Sequence, residues 1–318
     1  MSGMRPVMLI DGLNVYTRHF IANPSMSDLG HHVGGVVGFM KGLQLLADRI
    51  KPQAIYVVWE GGGSPRRRAI YSGYKQGRKP QKLNRFYGSD IPDTIENRNY
   101  QLVLTIELLK NTPINQIYVG DCEADDIIGF LVKNRFKDKD IVIVSSDKDY
   151  YQLLTDKVTQ WSPGQKKFIM QNDVHKKFHI PVHNFCTVRC FVGDASDGLG
   201  GIKGAGFKTM ASRFPELVSD KHISVNDIIE SSIEKSSSSK LKLYSRITQD
   251  PEVPLRNWKL MYLDTKNLSA THIQKINGEI DTFEPSRNKI NLMKILMREG
   301  IRTFDADSFF LAINSAIQ

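Results

Sequence analysis

The stretch "GDCEADDIIGFL", Gly120 to Leu131, carries three carboxylates within four residues: Glu123, Asp125 and Asp126. Further acids stand in comparable places. Asp11 closes "VMLID", Glu60 closes "IYVVWE", Asp147 and Asp149 lie at the end of "IVIVSSDKD", and Asp194 and Asp197 lie in "FVGDASDGLGGIKGAGFKTM". Any one of them could cap a helix or complement its dipole. Gathered together they could not, because two carboxylates about 5 Å apart repel by roughly 3 kcal/mol at an effective dielectric of 20, and a domain has only about 5–15 kcal/mol of net stability. Divalent cations resolve the conflict, and oxygen-only ligands without histidine or cysteine favour Mg²⁺ or Mn²⁺ over zinc. On a helix, Glu123 and Asp126 share a face while Asp125 points elsewhere, so one helix start presents carboxylates in two directions. A pair of cations about 3.5–4 Å apart would activate a water and stabilise the leaving oxygen of a phosphodiester.

The rest of the composition suits that chemistry. The chain has 318 residues and a formal net charge of +9, with a pI near 9.3. A basic excess favours a polyanionic partner, nucleic acid before membrane, and the acids become the cation holders that let a basic protein cut a polyanion. With 41% hydrophobic residues the chain reads as globular. No apolar run approaches the roughly 18–20 residues that span a bilayer, and "MSGMRPVMLIDG" has no cleavable signal pattern. Three cysteines are an odd count, and C-x3-C at Cys186 and Cys190 without histidine partners is not a zinc spacing. A reduced, cytoplasmic, monomeric protein with no membrane partner is expected.

The elements that must hold the acids can be read from periodicity. Three β-branched runs end at or just before Asp11, Glu60 and Asp147, and a fourth, "INQIYVGD", ends at Asp121, which also reads as a helix N-cap. Between them Val33, Val36, Val37, Met40, Leu43, Ala47 and Ile50 recur at helical steps, as do Ala124, Ile127, Ile128 and Leu131. Strands alternating with helices predict an α/β fold with a mostly parallel sheet, whose ligands bind at the carboxyl ends of the strands. That is where the acids fall. From about Thr187 onward the strand signals fade and the chain reads as helical, with "ESSIEKSSSSK" (Glu230 to Lys240) as a mobile loop. The expected division is an α/β core over 1–186 and a helical region over 187–318.

Two segments read as nucleic-acid grips. Across 64–100, Arg66, Arg67, Arg68, Lys75, Arg78, Lys79, Lys82 and Arg85 are interleaved with Tyr71, Tyr74, Phe86 and Tyr87. That mixture suits holding and stacking a single strand, and is an unlikely stretch of core. In "GLGGIKGAGFKTM", Phe207 separates the last glycine from Lys208 and Thr209, which breaks the phosphate-loop spacing. The alternative is a tight hairpin between helices, within about 191–212, whose backbone N–H groups at Gly201, Gly204 and Gly206 approach duplex phosphates.

With "LIDGLN", "YKQGR", "GDCEADD", "SSDKDYYQL" and "GDASDGLGGIKGAGFKT" in this order, the sequence resembles the structure-specific 5′-nuclease family. That family includes flap endonucleases and the 5′-exonuclease domain of bacterial DNA polymerase I. "VTQWSPGQKKF" and the C-terminal helices look most like its bacteriophage RNase H branch, which removes RNA primers. The resemblance implies a PIN-like core and a metal site from Asp11, Glu123, Asp125, Asp126, Asp147 and Asp149, completed by Asp194 and Asp197. It also implies a helical arch bearing Lys75 and Arg78, a helix-hairpin-helix-type duplex grip, two Mg²⁺ ions with Mn²⁺ able to substitute, and in some relatives a K⁺ ion at the hairpin. Expected partners are branched or nicked duplex DNA, RNA/DNA hybrids, a replication clamp and a single-strand-binding protein, although no clamp-binding peptide is recognisable. Glu60 stands where the family usually has Asp, and Gly198 replaces a frequent Asn. The competing readings are a PIN-type ribonuclease, which would lack the hairpin and arch, and a catalytically impaired DNA-binding protein, which would have lost several acids.

Overall fold

The computed structural model describes residues 5–77, 83 and 95–317. The apolar runs form six strands: β1 Val7–Asp11, β2 Ala54–Trp59, β3 Asn115–Tyr118, β4 Ile141–Val144, β5 Val158–Ser162 and β6 Lys167–Ile169. They make one sheet in the order β3-β2-β1-β4-β5-β6, parallel throughout except for β5 with β6. Alternation sorts the side chains of the central strands into two cores. Met8 and Ile10 of β1 pack with Val142 and Val144 of β4 on one face. Val7 and Leu9 pack with Ile141 and Ile143 on the other. Both faces are covered, as an all-parallel centre requires.

Helices α1 Gly12–Ala22, α2 Gly34–Ile50, α3 Pro65–Ile70, α4 Ile95–Leu109 and α5 Ala124–Phe130 alternate with the strands. After β6 come α6 Gln171–Phe178, α7 Val182–Val192, α8 Phe207–Arg213, α9 Val225–Ser238, α10 Lys242–Gln249 and α11 Glu252–Met261, and then α12 Ala270–Asp281, α13 Lys289–Arg298 and α14 Ala306–Ala316. Residues of α1, α2, α4, α13 and α14 fill the first core, and α5 and α12 cover the other face. A third core joins α7 to α11 and takes in Tyr74. The boundary expected at 186/187 therefore falls inside α7, and the last three helices return to the sheet instead of staying with the helical unit.

Two local expectations are corrected. The serine-rich insert is helical: Ser224 and Asp227 form a capping box that starts α9. Ser232, Ser236 and Ser237 then return their hydroxyls to carbonyls three or four residues back, which spares them competing for the backbone elsewhere. Asp121 is not the cap of α5. It sits at φ 62° in the left-handed region, and Glu123 takes the N-cap position.

Candidate functional site

The chain leaves β1 towards β2 and β3 on one side and returns to β4 on the other. The carboxyl ends of β1 and β4 therefore border the point where the sheet's winding reverses, the usual place for a ligand in such folds. A cleft of about 650 Å³ opens there, lined by Asp11, Glu60, Glu123, Asp125, Asp147 and Lys75 among others. Arg18 and Arg98, not singled out from the sequence, also line it and add positive charge. Arg18 lies one helical turn after Asn14 of α1, which lines the cleft as well, and that spacing was the available signal.

At the floor, Asp11 accepts neutral hydrogen bonds from Asn14 N–H (3.2 Å), Ser145 Oγ–H (3.1 Å) and Tyr150 O–H (3.2 Å). Burial, and then the charge of Asp147, push its carboxyl up to about 7 despite those donors. Burial followed by the charge of Asp125 likewise raises Asp147. Glu60 is pushed up to about 7 by burial, more than Lys75 draws it back, and its Oε2 takes the Ala124 N–H at 3.3 Å. Among the described residues no cation lies within salt-bridge distance of Asp11, Glu60 or Asp147.

The flanks differ. Arg67 of α3 is wholly buried, and its guanidinium reaches Glu123 Oε2 (2.8 Å), Asp126 Oδ2 (2.8 Å), Asp126 Oδ1 (2.9 Å), Asp125 Oδ1 (3.3 Å) and the Leu260 carbonyl (2.9 Å). Tyr74, also buried, donates its hydroxyl to Glu123 Oε2 at 2.9 Å. Their reading as nucleic-acid contacts is thereby corrected: both are internal, and the base of the basic segment is core. For Arg67 helix phase held the clue, since it and Ile70 lie three apart on α3, whereas Tyr74 lies in the turn beyond that helix. Arg66 remains exposed. Burial disfavours charge on Asp125, but Arg67 and Lys75 outweigh it and hold that carboxyl below its usual range. Asp126, beside Asp125, is driven by burial up to about 7.

Lys75 sits at φ 57°, a conformation that costs a non-glycine residue free energy. Its N–H is held by the Asp197 carbonyl at 2.9 Å, and its Nζ meets Glu123 Oε2 at 2.6 Å at the edge of the cleft. Arg78 lies outside the described residues, as do Lys79, Lys82, Arg85, Phe86 and Tyr87. Asp149 and Asp194 are both bound by Arg189, and Asp149 is pushed up to about 7 by burial and Asp147. Arg189 was missed in the sequence. Its signal was the one charged residue in the largely apolar stretch "NFCTVRCFV".

The donor set fits hard divalent cations: carboxylate oxygens only, several drawn towards protonation chiefly by burial. With the side chains turned to Arg67 and Arg189, no three of them form a ready-made cage among the described residues.

In the hairpin, Ile202 and Ala205 are buried while Gly201, Lys203, Gly204, Gly206, Lys208 and Thr209 are exposed. Gly201 has a packing reason to be glycine, since a Cβ there would lie 2.1 Å from the Val192 carbonyl oxygen. Gly198 has one too: φ is +72° and a Cβ would press on the Gly73 carbonyl oxygen at 3.0 Å, where the loop meets the segment carrying Lys75.

A doubly wound sheet with an acid cleft at its switch point and a helical unit packed on α3 and on the segment after β4 defines a class of α/β fold suited to phosphoester chemistry. Residues 6–179 match the family described as "5′-3′ exonuclease, N-terminal resolvase-like domain", and the chain belongs to that family. It is 30% identical over 248 residues to DNA polymerase I of Bacillus subtilis, covering 76% of this chain but spanning only 26% of that protein's length. With a 5′-3′ exonuclease of Aquifex aeolicus it is 28% identical over 311 residues, 95% of this chain and 97% of the relative. The bacteriophage T5 D15 flap endonuclease, solved with DNA and metal ions, has the same fold: TM-score 0.70, 22% identity, covering 92% of this chain and 99% of that one.

Proposed function

We propose that the chain is a metal-dependent 5′-nuclease that hydrolyses phosphodiester bonds at the 5′ ends and flaps of DNA/DNA and RNA/DNA duplexes, with primer removal during phage replication in a reduced cytoplasm as its setting. One observation carries this reading. Five carboxylates and Lys75 line a single cleft at the switch point of the sheet, in a chain with a net charge of +9.

Asp11, Asp125 and Asp147 would hold one cation, with Glu60 and Glu123 beside them, and Asp149 and Asp194 would hold the second, with the buried Asp126 and Asp197 completing the set. Two bound Mg²⁺ or Mn²⁺ ions would supply an activated water and a counter-charge for the leaving oxygen. Lys75, strained into place and steadied by Glu123, presents an ammonium to the phosphate as charge develops on it. Arg78 would join it from the segment beyond. Arg18 and Arg98 attract the strand. The exposed backbone at Gly204 and the exposed Lys208 and Thr209 side chains grip duplex backbone without reading bases, while the Gly206 N–H is held by the Gly204 carbonyl, and a K⁺ ion there is part of the proposal. T5 D15 in complex with DNA and metal ions and the Xni flap endonuclease of Shewanella support the reading by kinship.

The test is digestion of end-labelled flap, nicked and RNA-primed duplexes with and without Mg²⁺. Short products released from the 5′ end in Mg²⁺ and none in EDTA are expected. Metal-independent cutting, or cutting from the 3′ end, would refute the assignment.

A further inference from the structure

Asp149 and Asp194 stand on separate elements, one after β4 and one after α7, yet a single side chain bridges them. Arg189 of α7 donates from Nε to Asp149 Oδ1 at 2.6 Å and from Nη2 to Asp194 Oδ2. All three side chains are only 12–13% exposed. Asp194 has its other oxygen taken up by the Ser196 N–H (2.9 Å) and Ser196 Oγ–H (2.6 Å). Arginine cannot shed its charge to make room, unlike a lysine or histidine. Asp147, two residues before Asp149, has no such partner among the described residues and accepts the Asp149 N–H at 2.9 Å. A cation arriving at Asp149 and Asp194 thus meets a fixed positive charge whose N–H groups already use the oxygens it needs.

We infer that Arg189 is a built-in competitor for the second divalent cation. One ion binds readily on the Asp11, Asp125 and Asp147 side. The second binds weakly, because it must displace or repel a guanidinium. Without ions, the same arginine ties the helical unit to the α/β core. This rests on the reading of the acids as cation holders.

Titration of the full chain with Mn²⁺ alone, in the absence of nucleic acid, tests it by calorimetry and by the resonance of free Mn²⁺. Wild type should show one tighter and one weaker site. Arg189→Met should strengthen the weaker site about tenfold or more, as removal of a nearby, poorly screened unit charge implies, and leave the tighter site almost unchanged. Arg189→Gln, which keeps hydrogen-bonding capacity, should show the same gain if the Met variant fails to fold. Arg189→Lys, whose ammonium can give up its proton, should fall between wild type and the neutral variants. A structural role alone would lower the metal-free melting temperature without strengthening the second site. An unchanged or weaker second site in both neutral variants overturns the inference while leaving the metal-holding reading intact. Wild type that binds no Mn²⁺ overturns both.

Discussion

On one flank of the cleft, Glu123 and Asp126 close on the buried guanidinium of Arg67. At its floor, Asp11 and Asp147 interact, and their hydrogen-bond donors are neutral, with no cation in direct contact among the described residues. The same residue types thus face the same burial with opposite electrostatic arrangements. Where the protein supplies its own cation, the carboxylates form framework: Arg67 connects α3, the start of α5 and the end of α11 through Glu123, Asp126 and the Leu260 carbonyl. Where it does not, the carboxylates are left for a cation from outside. On the proposed function, stability would rest on the first set and cleavage on the second.

The hardest blow to that division is Arg67→Met. Removing one partner of a buried ion network strands the other charges and costs about 3–5 kcal/mol. Thermal or urea unfolding should show that loss, whereas exposed Arg66→Ala should stay within about 0.5 kcal/mol of wild type. Equal, small effects would mean that burial of Arg67 does not matter. Lys75→Ala comes next. It should slow single-turnover cleavage at saturating enzyme by about 10²–10³-fold, the scale for a lost transition-state contact, with little change in duplex affinity. An unchanged rate would reduce Lys75 to a surface contact.

The metal-free protein should sense pH through the floor. Asp11 and Glu60, like Asp126 and Asp149 beyond them, have folded-state values near 7, well above their ordinary ones. Between about pH 4 and pH 7 the folded chain binds more protons than the unfolded one, so stability is greatest at the acid end and falls as pH rises. In EDTA the melting temperature should drop by about 5–10 °C from pH 5 to pH 8, and Mg²⁺ should abolish most of the drop. A melting temperature that rises over this range would show the floor acids to be already neutralised. The smallest effect belongs to the hairpin. Lys208→Ala should make the dependence of log K on log salt shallower by about 0.9 for duplex-bearing substrates and leave cleavage of a short single strand unaltered.

The fold was largely legible because strand-forming runs ending in acids carry both the periodicity and the destination of the chain. The sheet reading over β1 to β4 and the convergence of Asp11, Glu60, Glu123, Asp125 and Asp147 followed from that pattern. What escaped was direction within a charged segment. Arg66, Arg67 and Arg68 look alike in sequence, and only helix phase turns the middle one inward. Tyr74, in the turn after α3, went astray because its partner Glu123 is distant in sequence, and Arg189 because one charge in a largely apolar helix reads as noise until its partners, distant in sequence, are in place. The serine-rich turn of α9 misled composition: serine favours loops until its hydroxyls bond back along the helix.

The central claim is that uncompensated acids at the floor do the cutting, and Asp147→Asn addresses it most directly. Asparagine keeps the size of the side chain and removes the charge that would hold a cation. Single-turnover cleavage of a labelled flap in Mg²⁺ should fall by about 10³-fold or more, roughly the loss of 4 kcal/mol of transition-state stabilisation. Flap affinity should change little, and the metal-free melting temperature should hold or rise, because one repelling charge has gone. Cleavage within about tenfold of wild type, or a loss of flap affinity as large as the loss of rate, would contradict the account.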